Sequence, residues 1–146
     1  LLGDELWTET AILLQKIADL APAAGLAPPR TDPRRARFDE RLHFIATELH
    51  KGFAPFTLMP NVGEDSKRWA AERLAQRVGL LAAELGDRPY LDGDRFTVAD
   101  AYAFWALRTY SRLLRAELPS PLTAYLDRVG ARPAVREALA AEGITP

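Results

Sequence analysis

The chain has no cysteine, only two histidines, one methionine and almost no net charge, and each shortage removes a class of function. Without cysteine there is no disulfide framework, no thiolate metal site and no cysteine nucleophile within these 146 residues. Nineteen basic against twenty acidic residues leave a net charge of −1, so no global field favours nucleic acid or an anionic membrane. No apolar run approaches the roughly 20 residues of a membrane span, and the opening residues lack the charged-then-apolar layout of a secretory signal. The expectation is a cytoplasmic protein with neither nucleic acid nor membrane as partner. What is present suits a packed domain: 48% hydrophobic and 27% charged residues, at a length for one domain or one domain plus a piece of another.

The start is unusual. Leu1-Leu2-Gly3-Asp4-Glu5-Leu6-Trp7 reads as a turn entering a short strand, and a lone strand cannot be stable by itself. Thr8-Glu9-Thr10 then opens a helix with Ile12, Leu13, Leu14, Ile17 and Leu20 as its apolar stripe. Residues 21–33 hold four of the eleven prolines together with Gly25, the composition of a linker. Asp32-Pro33 is a helix start, with an N-cap followed by proline at the first helical position. Phe38, Leu42, Ile45, Leu49 and Phe53 follow at helical spacing, within about 80° of one another on an ideal helix. Gly52 and Pro55 are expected to weaken or end that helix, leaving 53–60 as an unusually apolar loop that is either packed down or lines a pocket.

A further helix starts at Glu64-Asp65-Ser66, carries Trp69, Ala70, Leu74, Val78, Leu81 and Leu85, and stops at Gly86. Asp92-Gly93 is a turn. Thr97 and Asp100 stand at capping-box spacing, with Phe96 placed as a hydrophobic staple, and the helix they start is apolar on nearly every side. It is therefore expected at the centre of the molecule, with a structural role for both capping residues. Two shorter helices, around 122–129 and from Arg132-Pro133 onward, complete an all-helical architecture from residue 31.

Several residues have functional readings beside structural ones. Glu9 and Thr10 sit at a helix N-terminus, which suits a bound carboxylate, although plain capping is the simpler reading from the residues alone. His50 falls about 100° from the centre of its helix's buried stripe, a border from which it faces either a cleft or solvent, and Lys51 points away from that stripe. His43 and His50 are separated by two turns, roughly 10 Å of rise, too far to share one ion, so no metal is assigned. Phe56 and Met59, in the apolar loop, are candidates for a pocket wall, with Phe53, Tyr102 and Trp105. Trp105 reads more simply as core.

Four blocks in order carry a resemblance to a known family: Leu6, Trp7, Thr8 and Glu9 with Ala18-Asp19; Phe44-Ile45-Ala46-Thr47-Glu48-Leu49-His50-Lys51-Gly52-Phe53; the stretch 96–102; and Ala131-Arg132-Pro133-Ala134-Val135 with Ala141-Glu142-Gly143. They resemble the C-terminal part of a cytosolic glutathione transferase, most closely the bacterial beta class.

The resemblance implies an all-α helical bundle over 32–146, a linker over 21–31, and over 1–20 the last strand and helix of an otherwise missing thioredoxin-like domain. It implies glutathione as substrate, a small hydrophobic electrophile or a mixed disulfide as co-substrate, a role in detoxification and a homodimer for the full-length protein. A non-catalytic helical module for protein association is the rival. Glu9 and Thr10 are implied to hold the γ-glutamyl end of glutathione and His50 and Lys51 to lie near it, while Phe53, Phe56, Met59, Tyr102 and Trp105 would line the electrophile pocket. The family's thiol-activating residue belongs to the missing part, so no catalytic residue is assigned and these residues alone are expected to be inactive. One departure concerns the central helix: beta-class members often carry tryptophan after an arginine where this chain has Arg108-Thr109.

Overall fold

The computed structural model describes residues 4–144. Among the described residues, seven α-helices order the chain: α1 (Thr10–Leu20), α2 (Arg35–Phe44), α3 (Ala54–Thr57), α4 (Glu64–Leu85), α5 (Val98–Leu114), α6 (Ser120–Gly130) and α7 (Pro133–Ala141). The strand expected over 1–7 lies partly outside the described residues, and residues 6–9 carry no regular structure.

Helix α5 is the hub, with α1, α2, α4 and α6 packed on it. Ala99, Ala103 and Ala106 are buried, so neighbouring backbones approach closely, while Leu107, Leu122 and Tyr125 fill the space between. The capping box at its start is complete: the Thr97 side chain accepts from the third helical amide and the Asp100 carboxylate accepts from the Thr97 amide at 2.8 Å. Asp100 does more than cap. Its carboxylate also accepts from the Thr97 hydroxyl at 2.9 Å, the Leu91 amide at 2.8 Å and the Tyr125 hydroxyl at 2.9 Å. One fully buried side chain thus joins α5, α6 and the 90–93 turn. That turn has reciprocal bonds between Tyr90 and Gly93, and Gly93 takes φ 79°, open to glycine without a Cβ penalty. Burial pushes the Asp100 carboxyl above the ordinary carboxylate range, while the hydrogen bonds from Leu91, Thr97 and Tyr125 oppose the rise.

The linker is strapped down. Arg35, buried at the start of α2, donates to the Gln15 side chain at 2.6 Å, to the Pro28 carbonyl at 3.0 Å and to Asp39 at 3.0 Å. The Leu26 carbonyl accepts from the Val98 amide at 2.9 Å. Helix α1 is thereby fixed against α2 and α5.

The chain stays helical where an end was expected. From α2 it continues through a π-helical stretch (Ile45–His50) and a 3₁₀ turn (Lys51–Phe53) into α3, so 53–57 is helix and only 58–63 is loop. Pro55 is accommodated near the start of α3, where a missing amide costs least. Gly52 allows the close approach to α4: a Cβ there would lie 2.7 Å from Leu74 Cδ2. Asp32 does not cap α2 as expected: its carboxylate accepts from the Arg34 amide at 2.8 Å within the preceding turn, and the helix begins at Arg35 without a side-chain cap.

Candidate functional site

A cleft of about 450 Å³ opens where the start of α1, the π-helical stretch and the outer face of α5 meet. Its walls bring together Glu9 and Thr10 from α1, His50, Lys51 and Phe53 from the irregular helix, and Tyr102 and Trp105 from α5. Residues 40 to 96 positions apart in sequence are gathered there because α1 and the π-helical stretch both pack on α5.

Glu9 precedes α1 with φ 68° and ψ 113°, a strained conformation for a residue with a Cβ. Its carbonyl accepts from the Ile12 and Leu13 amides at 3.0 and 2.9 Å. No side chain caps the helix. Neither Thr8 nor Thr10 therefore plays the capping role that the residues alone favour. The N-terminal end of the helix dipole opens on the cleft, an environment that stabilises an anion.

His50 closes the π-helical stretch, and π turns commonly re-aim a side chain at a functional position. Its Nδ1 lies 2.7 Å from the Tyr102 hydroxyl, and its ring stands edge-on to Trp105 with centroids 4.4 Å apart. Partial burial against these rings, with Lys51 beside it, holds the imidazole below its ordinary value of 6.5. Tyr102 is itself buried. Burial raises its phenol, Thr10 works in the opposite direction, and the Glu9 carboxylate adds to the rise. Tyr102 and His50 thus join α5 to the π-helical stretch, with Thr10 of α1 in the same cleft.

Two expected pocket residues lie elsewhere, and Trp105 takes its pocket reading over its core reading. Trp105 is 43% exposed and forms part of the cleft wall, because the neighbouring α5 positions that face inward are already filled by Tyr102, Phe104 and Leu107. Phe56, in the extra helical turn, packs partly buried against the core instead of lining the cleft. Met59 borders a separate hollow of about 280 Å³ with Trp69 and Arg73, on the α4 side. The added helical turn rotates both away. Conversely, the cleft includes Ala46, Ala54, Thr57, Leu58 and Thr109, which the spacing argument missed. Thr109 carried a signal, being the position where beta-class members often have tryptophan. A larger, mainly apolar cavity of about 850 Å³ lies between α5 and α7, lined by Phe96, Phe104, Val135 and Leu139 with Arg108, Arg112 and Arg132.

No helix among the described residues is long and apolar enough to cross a membrane. Residues 44–133 match the model of the glutathione S-transferase C-terminal domain. The chain is similar to glutathione S-transferase GstA of Escherichia coli O157:H7, with 37% identity over 140 residues covering 95% of this chain and 69% of that protein. Among solved structures, the ternary complex of BphK, a bacterial GST, superposes with a TM-score of 0.91 at 37% identity, covering 98% of this chain and 72% of that one. The bacterial beta class glutathione S-transferase of Sphingomonas chungbukensis gives 0.89 at 34% identity, covering 99% and 72%.

Proposed function

The chain belongs to the glutathione S-transferase family, whose C-terminal helical domain it carries, and on that premise we propose that it serves the transfer of glutathione to small hydrophobic electrophiles, or the reduction of mixed disulfides. Residues 32–146 supply the helical domain with the electrophile wall. Residues 1–20, joined by the linker 21–31, supply part of the glutathione site. Glu9 pairs with the γ-glutamyl amino group and Thr10 donates to its carboxylate, helped by the α1 dipole. His50 and Lys51 lie along the rest of the peptide, placing positive or hydrogen-donating groups near its acidic end and its thiol. Phe53, Tyr102 and Trp105 form the apolar wall, and Thr109 leaves open the space that a tryptophan would fill.

The observation that carries this reading is the convergence in one cleft of the Glu9-Thr10 helix start with His50 and the exposed face of Trp105. A module used only for protein association would not need that convergence. The working protein is read as a cytoplasmic homodimer. Trp69 and Leu80 of α4, 63% and 53% exposed, support an association face there.

No residue of the 146 is assigned to activate the thiol. The test is calorimetric titration of the chain with glutathione, beside a conjugation assay with an aromatic halide. Binding is expected, weakened about tenfold or more by Thr10→Ala through loss of a hydrogen bond to a charged group, with no turnover by these residues alone. Saturable binding that is indifferent to Thr10 and His50 would contradict the assignment.

A further inference from the structure

We propose that Tyr102 is a positioning residue that fixes the tautomer of His50, donating its hydroxyl proton to Nδ1 so that Nε2–H is the donor presented to the cleft. This rests on the glutathione-site reading only for what His50 donates to; the tautomer itself follows from the Tyr102–His50 contact. A phenol has one proton to donate. The hydrogen-bond partner that the geometry gives the Tyr102 hydroxyl is His50 Nδ1, and a phenol donates more strongly than it accepts. The Tyr102 proton then goes to Nδ1 at 2.7 Å, which must be the bare nitrogen of a neutral ring.

The surroundings hold this arrangement in place. Tyr102 is 5% exposed, and its ring meets that of His50 edge-on at 5.8 Å, so neither can swing without breaking the contact. The ring of Trp105 packs against the same imidazole. Nδ1 is therefore occupied inside the fold, and Nε2 is the ring atom available to a ligand. A neutral Nε2–H donor can meet a thiolate or a carboxylate without contributing a full charge. The other titratable groups lining the cleft are Glu9 and Lys51, of opposite sign.

The test is ¹⁵N NMR of the imidazole in the 146-residue chain near neutral pH, with Tyr102→Phe beside the wild type. The wild type should show a protonated Nε2 and a bare, hydrogen-bonded Nδ1. In Tyr102→Phe, which keeps the ring and its packing, the Nδ1 resonance should move downfield and the imidazole pKa should rise toward its ordinary value. Glutathione affinity should drop about three- to tenfold, the loss of one hydrogen bond's worth of preorganisation. A wild type protonated at Nδ1 would overturn the proposal even if the variant did not fold. So would an unchanged Nδ1 resonance in a variant that melts as the wild type does. If the wild type shows the expected tautomer and does not bind glutathione, the positioning role stands and the functional reading fails.

Discussion

The Tyr102 hydroxyl lies 2.7 Å from His50 Nδ1, a contact between residues 52 apart in sequence that ties the central helix to the one π-helical stretch among the described residues. With Glu9 and Thr10 in the same cleft, the start of α1 and the irregular helix are two of its walls. Disturbing the contact should therefore change ligand behaviour more than stability. The opposite holds for Asp100, only two residues earlier.

Asp100→Ala should lower stability by roughly 2–4 kcal/mol, more than a lost cap alone, because the Leu91 and Thr97 amides and the Tyr125 hydroxyl lose a buried acceptor together. Urea unfolding measures it. Glutathione affinity, measured where the variant is still folded, should stay within a factor of two or so. An affinity loss without a stability loss would reverse the division between folding and binding residues.

Stability should decline as pH falls through the range just below 6.5, in part through His50. Its imidazole titrates below the ordinary value in the folded chain, so between the folded and unfolded values the unfolded chain binds the proton first. Stability from this group is complete above 6.5 and lost below its folded value. His50→Asn should flatten the pH dependence of the urea midpoint in that window. An equal slope in wild type and variant would assign the effect elsewhere.

Gly52→Ala should destabilise by about 1–3 kcal/mol, since the new methyl group would meet the side chain of Leu74, itself 1% exposed and with little room to yield. Leu74→Ala in the same chain should recover part of that loss relative to the sum of the single changes. Thermal melts of the two single variants and the double variant decide it. Strict additivity would mean that the close approach is not the reason for glycine.

Trp105→Ala should cost at most about 2 kcal/mol, below the 3–5 of a buried tryptophan, because nearly half the side chain already faces solvent. Binding of an aromatic electrophile, or of its glutathione adduct, should weaken at least tenfold. Thr109→Trp should close part of the same space and exclude bulky electrophiles before small ones. Affinities for a size series of adducts check both.

Much of this was legible in the sequence. The capping box, the turn at Asp92-Gly93, the long helix α4 and the central position of α5 all follow from local signals that the tertiary structure reinforces. Glu9, Thr10 and His50 were reachable through helix-end and border arguments, and Tyr102 as an aromatic candidate for the pocket. The irregular helix was not. Spacing arithmetic assumes 100° per residue, and a π turn followed by a 3₁₀ turn breaks that assumption between Ile45 and Phe53. The same fault carried Phe56 and Met59 onto the wrong surface, because Pro55 signalled an end where it fits a helical first turn. Trp105 stood between core and pocket because a nearly all-apolar helix does not say which one residue is left outside. Arg35 gave no local sign of its long-range bonds to Gln15 and Pro28.

The most direct test of the central claim is an NMR titration of the chain with glutathione, following backbone amides and the His50 ring. The largest shifts are expected at Glu9, Thr10, Ala11, His50 and Lys51, with a common dissociation constant. Shifts confined to the cavity between α5 and α7, around Phe96, Phe104 and Leu139, would place the ligand elsewhere and contradict the account.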